Sequence, residues 1–148
     1  MNKKEFQVKL LSPQVSLPAY ATDGAAAMDL TACISQPMTI APGQLVTVPT
    51  GIAIALPGPE YMALIFARSG LGVKHGICLS NGVGVIDSDY RGEIRVGLTN
   101  LSQTPYTVQP GDRVAQMAIV PVARARAVPV EELGETRRGA GGFGSTGK

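Results

Sequence analysis

The sequence predicts an all-β domain, a sandwich or barrel built from many short strands. Three observations lead there. Eleven prolines and 18 glycines are spread almost evenly along the chain; proline breaks the helical hydrogen-bond ladder and glycine weakens it, so little room remains for long helices. Pro-Gly pairs recur at Pro42-Gly43, Pro57-Gly58 and Pro110-Gly111, each a turn signal between apolar runs. In EIRVGLT (93–99) the apolar Ile94, Val96 and Leu98 alternate with Glu93, Arg95 and Gly97, the period of a half-buried strand.

Taken in order, the strand-like segments are FQVKLL (6–11), QLVTVP (44–49), GIAIAL (51–56), YMALIFA (61–67), EIRVGLT (93–99) and DRVAQMAIVPV (112–122). Short β-branched runs separated by regular turn signals fit a sandwich or barrel. One short helical turn is expected after Ser69, a residue type that caps helix N-termini, with Gly70, Gly72 and Gly76 limiting its length. From about Glu131 the chain is polar, glycine-rich and without apolar period. The expected organisation is therefore a β domain over 1–130 followed by a flexible C-terminal arm over 131–148.

At 148 residues and 15.4 kDa the chain suits one domain, large enough to bury roughly 68–70% of its unfolded surface. Hydrophobic residues at 45% against 16% charged leave apolar surface for an oligomer interface. A net charge of +2 is too balanced to argue for nucleic acid or a membrane surface as the main partner. The basic start, MNKKEFQVKLLSP, lacks the apolar run of a signal peptide, because Glu5, Gln7 and Lys9 interrupt it. No stretch approaches the roughly 20 apolar residues of a membrane span, so a cytoplasmic protein is expected. Cys33 and Cys78 have no metal-like spacing and read as buried free thiols. His75 is the only histidine, which excludes multi-histidine zinc sites and leaves a Ser-His-Asp triad without a supporting motif.

Three segments concentrate chemistry. In NGVGVIDSDYRGE (81–93), DSDYRG resembles the start of a calcium loop, but Arg91 and Leu98 stand where oxygen ligands are required. What remains is a tight glycine-rich hairpin carrying an amide, two carboxylates and a phenol; a β-turn in which Asp87 or Asp89 bonds its own backbone fits the same residue types. ARSGLGVKHG (67–76) sets Arg68, Ser69 and the Gly70 amide together at a strand end. A guanidinium, a hydroxyl and a bare N–H suit phosphate oxygens, and an exposed strand end explains them equally. The terminal GGFGSTGK (141–148) has most of the spacing of a phosphate-binding P-loop. A P-loop must open a helix, and nothing follows Lys148 here. Ordering about ten such residues costs on the order of 10–20 kcal/mol, so the arm should order only on a ligand with several negative charges and an apolar face.

Taken together and in order, these segments resemble the homotrimeric dUTP nucleotidohydrolases. AAAMDLTA (25–32), ARSGL (67–71), NGVGVIDSDYRGEI (81–94), GDRVAQ (111–116) and RGAGGFGSTG (138–147) match the five short motifs that describe that family. Ala27 departs from the glycine common there, and Gly72 from the usual alanine. The resemblance implies a jelly-roll-like β domain, assembled as a homotrimer whose active sites are shared, with the arm of one subunit closing over a neighbour's pocket.

It also implies a reaction, cleavage of dUTP to dUMP and pyrophosphate with Mg2+, and roles for particular residues. Asp87 would be the general base acting on the water that attacks the α-phosphorus. Arg68, Ser69, Gly70 and Gln116 would hold phosphate oxygens, and Asp29 would reach magnesium through its water shell. Asn81 and the backbone over Gly82, Val85 and Ile86 would read uracil, Tyr90 would pack on the sugar and refuse a ribose 2′-hydroxyl, and Arg95 would join the substrate contacts. Arg138, Gly144, Ser145 and Thr146 would cap the γ-phosphate end, with Phe143 stacked on the base. Two other readings stay open at this point: a dCTP deaminase of the same fold, and a non-catalytic jelly-roll binding module.

Overall fold

A computed structural model describes residues 4–142 of the chain. It is an all-β, jelly-roll-like structure with strands β1 (Gln7–Leu10), β2 (Met28–Thr31), β3 (Met38–Ile40), β4 (Leu45–Pro49), β5 (Ile52–Ala55) and β6 (Tyr61–Phe66). A single short helix among the described residues, α1 (Ser69–His75), follows. Then come β7 (Ile77–Leu79), β8 (Gly84–Ile86), β9 (Arg95–Asn100), β10 (Tyr106–Val108) and β11 (Arg113–Pro121). The largest sheet has the order β2-β11-β6-β8; a second runs β4-β9-β7, and β1-β5 and β10-β3 form two-stranded ladders. All named pairings are antiparallel.

The core lies between these sheets. Along β9, Val96, Leu98 and Asn100 are buried while Arg95 is exposed, so the alternation in the sequence does mark a one-sided strand. Ile40, Val48, Val108 and Met117 are fully enclosed, each such side chain stabilising the fold by about 1.5–3 kcal/mol. Two polar residues sit among them with their bonds made. Thr50 Oγ1 donates to the Ile94 carbonyl at 2.6 Å. Asn100 Nδ2 donates to the Ile40 and Thr104 carbonyls at 2.9 and 2.8 Å, and its Oδ1 accepts from Ser102 N and Oγ.

Several expectations are corrected. Ser69 is the first helical residue rather than the cap; Arg68 holds the cap position with extended backbone and no side-chain cap bond. The helix passes through Gly70 and Gly72 and stops at Gly76, whose φ of 68° is left-handed. A Cβ at Gly76 would lie 2.8 Å from Ser102 N, so only glycine fits there. Residues 81–93 do not form a hairpin, because β7 pairs with β9 and β8 with β6. The chain crosses from one sheet to the other through a turn closed by Gly82 N to Leu79 O at 3.2 Å. Gly84 permits the landing, since a Cβ there would sit 3.0 Å from Ile65 Cβ. Cys33 and Cys78 are free but only half-buried.

Among the described residues, regular structure ends at Pro121. Val122 N still bonds the Glu60 carbonyl at 2.8 Å, and residues 123–140 are exposed throughout. No helix among the described residues is long and apolar enough to cross a membrane.

Candidate active site

Strand register assembles the first part of the site. On β11, Gln116 stands opposite Asp29 of β2 on one side and Phe66 of β6 on the other. Met28 and Leu30 point into the core, so Asp29 between them is turned to the opposite face. One residue beyond Phe66, the Ala67 carbonyl accepts a 2.9 Å bond from Gln116 Nε2, fixing the exit of β6 where Arg68 and Ser69 follow. Ala27, Asp29, Arg68, Ser69, Arg113 and Gln116 thereby line a common cavity of about 290 Å³.

Asp29 is the charge hub of that cavity. Its Oδ1 lies 2.9 Å from Arg68 Nε and its Oδ2 3.1 Å from Arg113 Nη1. Arg68 Nη1 also donates to the Arg113 carbonyl at 3.3 Å. Two guanidinium groups against one carboxylate leave an excess positive charge. Each arginine carries five N–H donors, so several remain for an incoming anion.

The second part is the loop after β8. Tyr90 N bonds the Asp87 carbonyl at 3.2 Å, closing a β-turn, and Arg91 Nη1 donates to the Ser88 and Tyr90 carbonyls at 2.7 and 2.9 Å. Tyr90 Oη donates to the Glu93 carbonyl at 3.0 Å, and a Cβ at Gly92 would collide with its ring. The turn is thus held by backbone and by Arg91. Neither Asp87 nor Asp89 bonds its own backbone, and no hydrogen bond among the described residues engages either carboxylate. Both line a separate cavity of about 790 Å³ with Pro57, Tyr61, Met62 and Arg124.

The structure thus brings together Asp29, Arg68, Ser69 and Gln116, and places Asp87 in a different cavity. Gly70 follows Ser69 within α1. Asn81 and Gly82 are exposed on the crossing between sheets; Val85 is exposed on β8 opposite Leu64, whereas Ile86 is half-buried against the core. Arg95 is exposed, its Nε 3.0 Å from Glu93 Oε2, while Glu93 Oε1 accepts from Gly51 N at 3.0 Å. Arg138 Nε donates to the Gly141 carbonyl at 2.8 Å on the exposed tail. Phe143, Gly144, Ser145 and Thr146 lie outside the described residues. His75 packs against Tyr106 with ring centroids 4.9 Å apart and the rings tilted by 46°, and it joins no triad among the described residues. Burial first, and then the Asp112 charge, raises the Tyr106 pKa, with Arg68 opposing.

Sequence reasoning singled out Gln116 in GDRVAQ but missed Arg113. The two are three positions apart, which on a regular strand puts them on opposite faces. The β2–β11 register shifts between Arg113 and Ala115, and Val114 and Ala115 are both buried. This bulge returns Arg113 to the face of Gln116, a change that leaves no periodic trace in the sequence.

A family model described as dUTPase matches residues 14–147. The deoxyuridine 5'-triphosphate nucleotidohydrolase of Idiomarina loihiensis is 51% identical over 148 residues, covering 97% of this chain and 98% of its own. That of a Janthinobacterium species is 53% identical over 147 residues, covering 98% and 99%. Among solved structures, the Staphylococcus bacteriophage 80alpha dUTPase with dUPNHPP superposes with a TM-score of 0.87 at 25% identity, covering 99% of this chain and all of that one. A phage phi11 dUTPase, described with a structural Mg(II) ion, shares the fold with a TM-score of 0.79 at 22% identity and 88% coverage of this chain. With a family model spanning nearly its whole length and relatives at half identity, this chain belongs to the dUTPase family.

Proposed function

We propose that this protein hydrolyses dUTP to dUMP and pyrophosphate. The observation that carries the reading is the arginine-rich cavity where Asp29, Arg68, Ser69 and Gln116 converge, in a chain of the dUTPase family. Arg68, Ser69, the Gly70 amide and Gln116 bind oxygens of the phosphate chain, with charge-assisted bonds from the guanidinium the strongest of them. Asp87, free of hydrogen bonds to the described residues, orients a water and takes its proton as the oxygen attacks the α-phosphorus and the pyrophosphate leaves. A carboxylate is a modest base, so placement contributes more than basicity.

Asn81 and the backbone over Gly82, Val85 and Ile86 read the donor and two acceptors on the uracil edge. Cytosine reverses part of that pattern and leaves buried groups unpaired, a discrimination that can reach about 10⁴-fold. Tyr90 closes on the sugar, and Arg95 reaches toward the substrate from β9. Because Asp87 lines a different cavity from Arg68 in one copy, the reading includes a homotrimer whose sites combine residues of different subunits. The arm beyond the barrel, here taken as 131–148, then covers a neighbour's site with Arg138, Phe143, Gly144, Ser145 and Thr146. Two free thiols suit a reducing compartment, and the proposal places the enzyme in the cytoplasm.

Among the described residues no three His, Cys, Asp or Glu side chains gather to hold a metal ion, and both Asp29 oxygens already face guanidiniums. That donor set fits magnesium carried mainly by triphosphate oxygens and water, with Asp29 in reach of its water shell. When bound, the ion neutralises charge developing on the phosphates.

The test is pyrophosphate release measured in parallel from dUTP, dCTP, dTTP and UTP with magnesium, together with ammonia release from dCTP. Release from dUTP alone is expected. Ammonia from dCTP would establish a deaminase instead, and no product from any nucleotide would leave a binding module.

A further inference from the structure

We propose that Arg113 is a positioning residue that keeps Arg68 available to the phosphate chain by holding the far oxygen of Asp29. The inference rests on the phosphate-binding reading of this cavity given above. Three contacts close a ring: Arg113 Nη1 to Asp29 Oδ2 at 3.1 Å, Asp29 Oδ1 to Arg68 Nε at 2.9 Å, and Arg68 Nη1 to the Arg113 carbonyl at 3.3 Å. Arg113 enters that ring twice, through its guanidinium to Asp29 and through its backbone carbonyl to Arg68. The bulge between Arg113 and Ala115 aims it there.

The carboxylate is shared, one oxygen to each guanidinium. A carboxylate released on one side can turn and grip a single arginine through two parallel bonds, the strongest geometry available to the pair. Without the Arg113 side chain, Asp29 would take Arg68 in that bidentate form and withdraw the donors that face the cavity. Arg113 is also the outermost member, with its side chain 55% exposed against 27% for Arg68 and 21% for Asp29. An ion pair so placed adds little to folding stability, so its removal should be felt at the ligand.

A double-mutant cycle tests this, reading affinity for the imido analogue dUpNHpp by calorimetry on the full-length protein. Arg113→Gln should weaken binding about tenfold, the size of one charge-assisted hydrogen bond. In an Asp29→Asn background the same change should cost less than about twofold, since the partner it acts through is gone. Arg113→Lys, which keeps the charge, should recover part of the loss, with thermal midpoints of all variants close to the parent. Equal losses in both backgrounds would mean that Arg113 contacts the nucleotide itself, and the proposal would fall. Undiminished affinity in Arg113→Gln would also overturn it. Arg68→Gln serves as the control: unchanged analogue binding there would overturn the phosphate reading of the cavity, a separate failure.

Discussion

Gln116 and Asp29 stand directly opposite each other across the β2–β11 ladder, and Gln116 Nε2 also ties down the Ala67 carbonyl where β6 gives way to α1. One side chain thus links three separate stretches of sequence at the point where an anion would bind. Gln116→Leu keeps the volume and removes the donor. Steady-state kinetics should return a KM for dUTP raised about tenfold, the loss expected for a hydrogen bond to a charged group, with kcat less affected.

Asp87→Asn should lower kcat by about 10²–10⁴-fold, the usual contribution of a general base. Since no hydrogen bond among the described residues engages this carboxylate, the thermal midpoint should not move. A parallel loss of stability and rate would mean that Asp87 holds the loop and does no chemistry.

Removal of residues 138–148 separates the arm from the barrel. The last strand of the described residues ends at Pro121 and residues 138–140 are exposed, so the truncated protein is expected to melt like the full chain. Its kcat/KM for dUTP should nevertheless fall by about a hundredfold or more, because an open pocket no longer orients the phosphate chain. Full activity in the truncated form, measured by pyrophosphate release, would remove the arm from the mechanism.

Asn100→Ala tests the barrel rather than the site. The side chain is fully buried and bridges β9 to the Ile40 carbonyl and to the 102–104 turn. Its loss leaves buried carbonyls and an amide unpaired, at a cost of about 1–3 kcal/mol. Urea denaturation should report that destabilisation, with kcat for the remaining folded enzyme near the parent value.

Gly72→Ala should act in the other direction. Gly72 lies inside α1, and an added Cβ would meet only the Ile77 carbonyl, at 3.8 Å. Alanine there should add about 0.5–1 kcal/mol through helix propensity. Denaturant midpoints of the two proteins measure it directly, and a destabilised variant would show that α1 has less room than the geometry gives.

The longer strands were legible in the sequence as apolar or β-branched runs between turn signals, with a period of two visible in EIRVGLT. FQVKLL, YMALIFA and EIRVGLT announce β1, β6 and β9 within a residue or two. The three-residue strands β3, β7, β8 and β10 were not, since three residues hold no period. β3 and β10 exist because Met38–Ile40 and Tyr106–Val108 meet across the fold. For the same reason residues 81–93 read as a hairpin, although their flanking strands belong to different sheets.

The sequence by itself determined the β class, the turns at glycine and proline, the motif order that marks the family, and most of the residues in the candidate site. Those follow from local chemistry: backbone freedom, side-chain alternation and residue type. Tertiary structure alone decided that Asp29 lies between two arginines, that a bulge turns Arg113 onto the face of Gln116, and that Asp87 and Arg68 open into different cavities. Each depends on register between strands far apart in the chain, and register is set by which apolar faces pack together, a quantity no local window of residues contains.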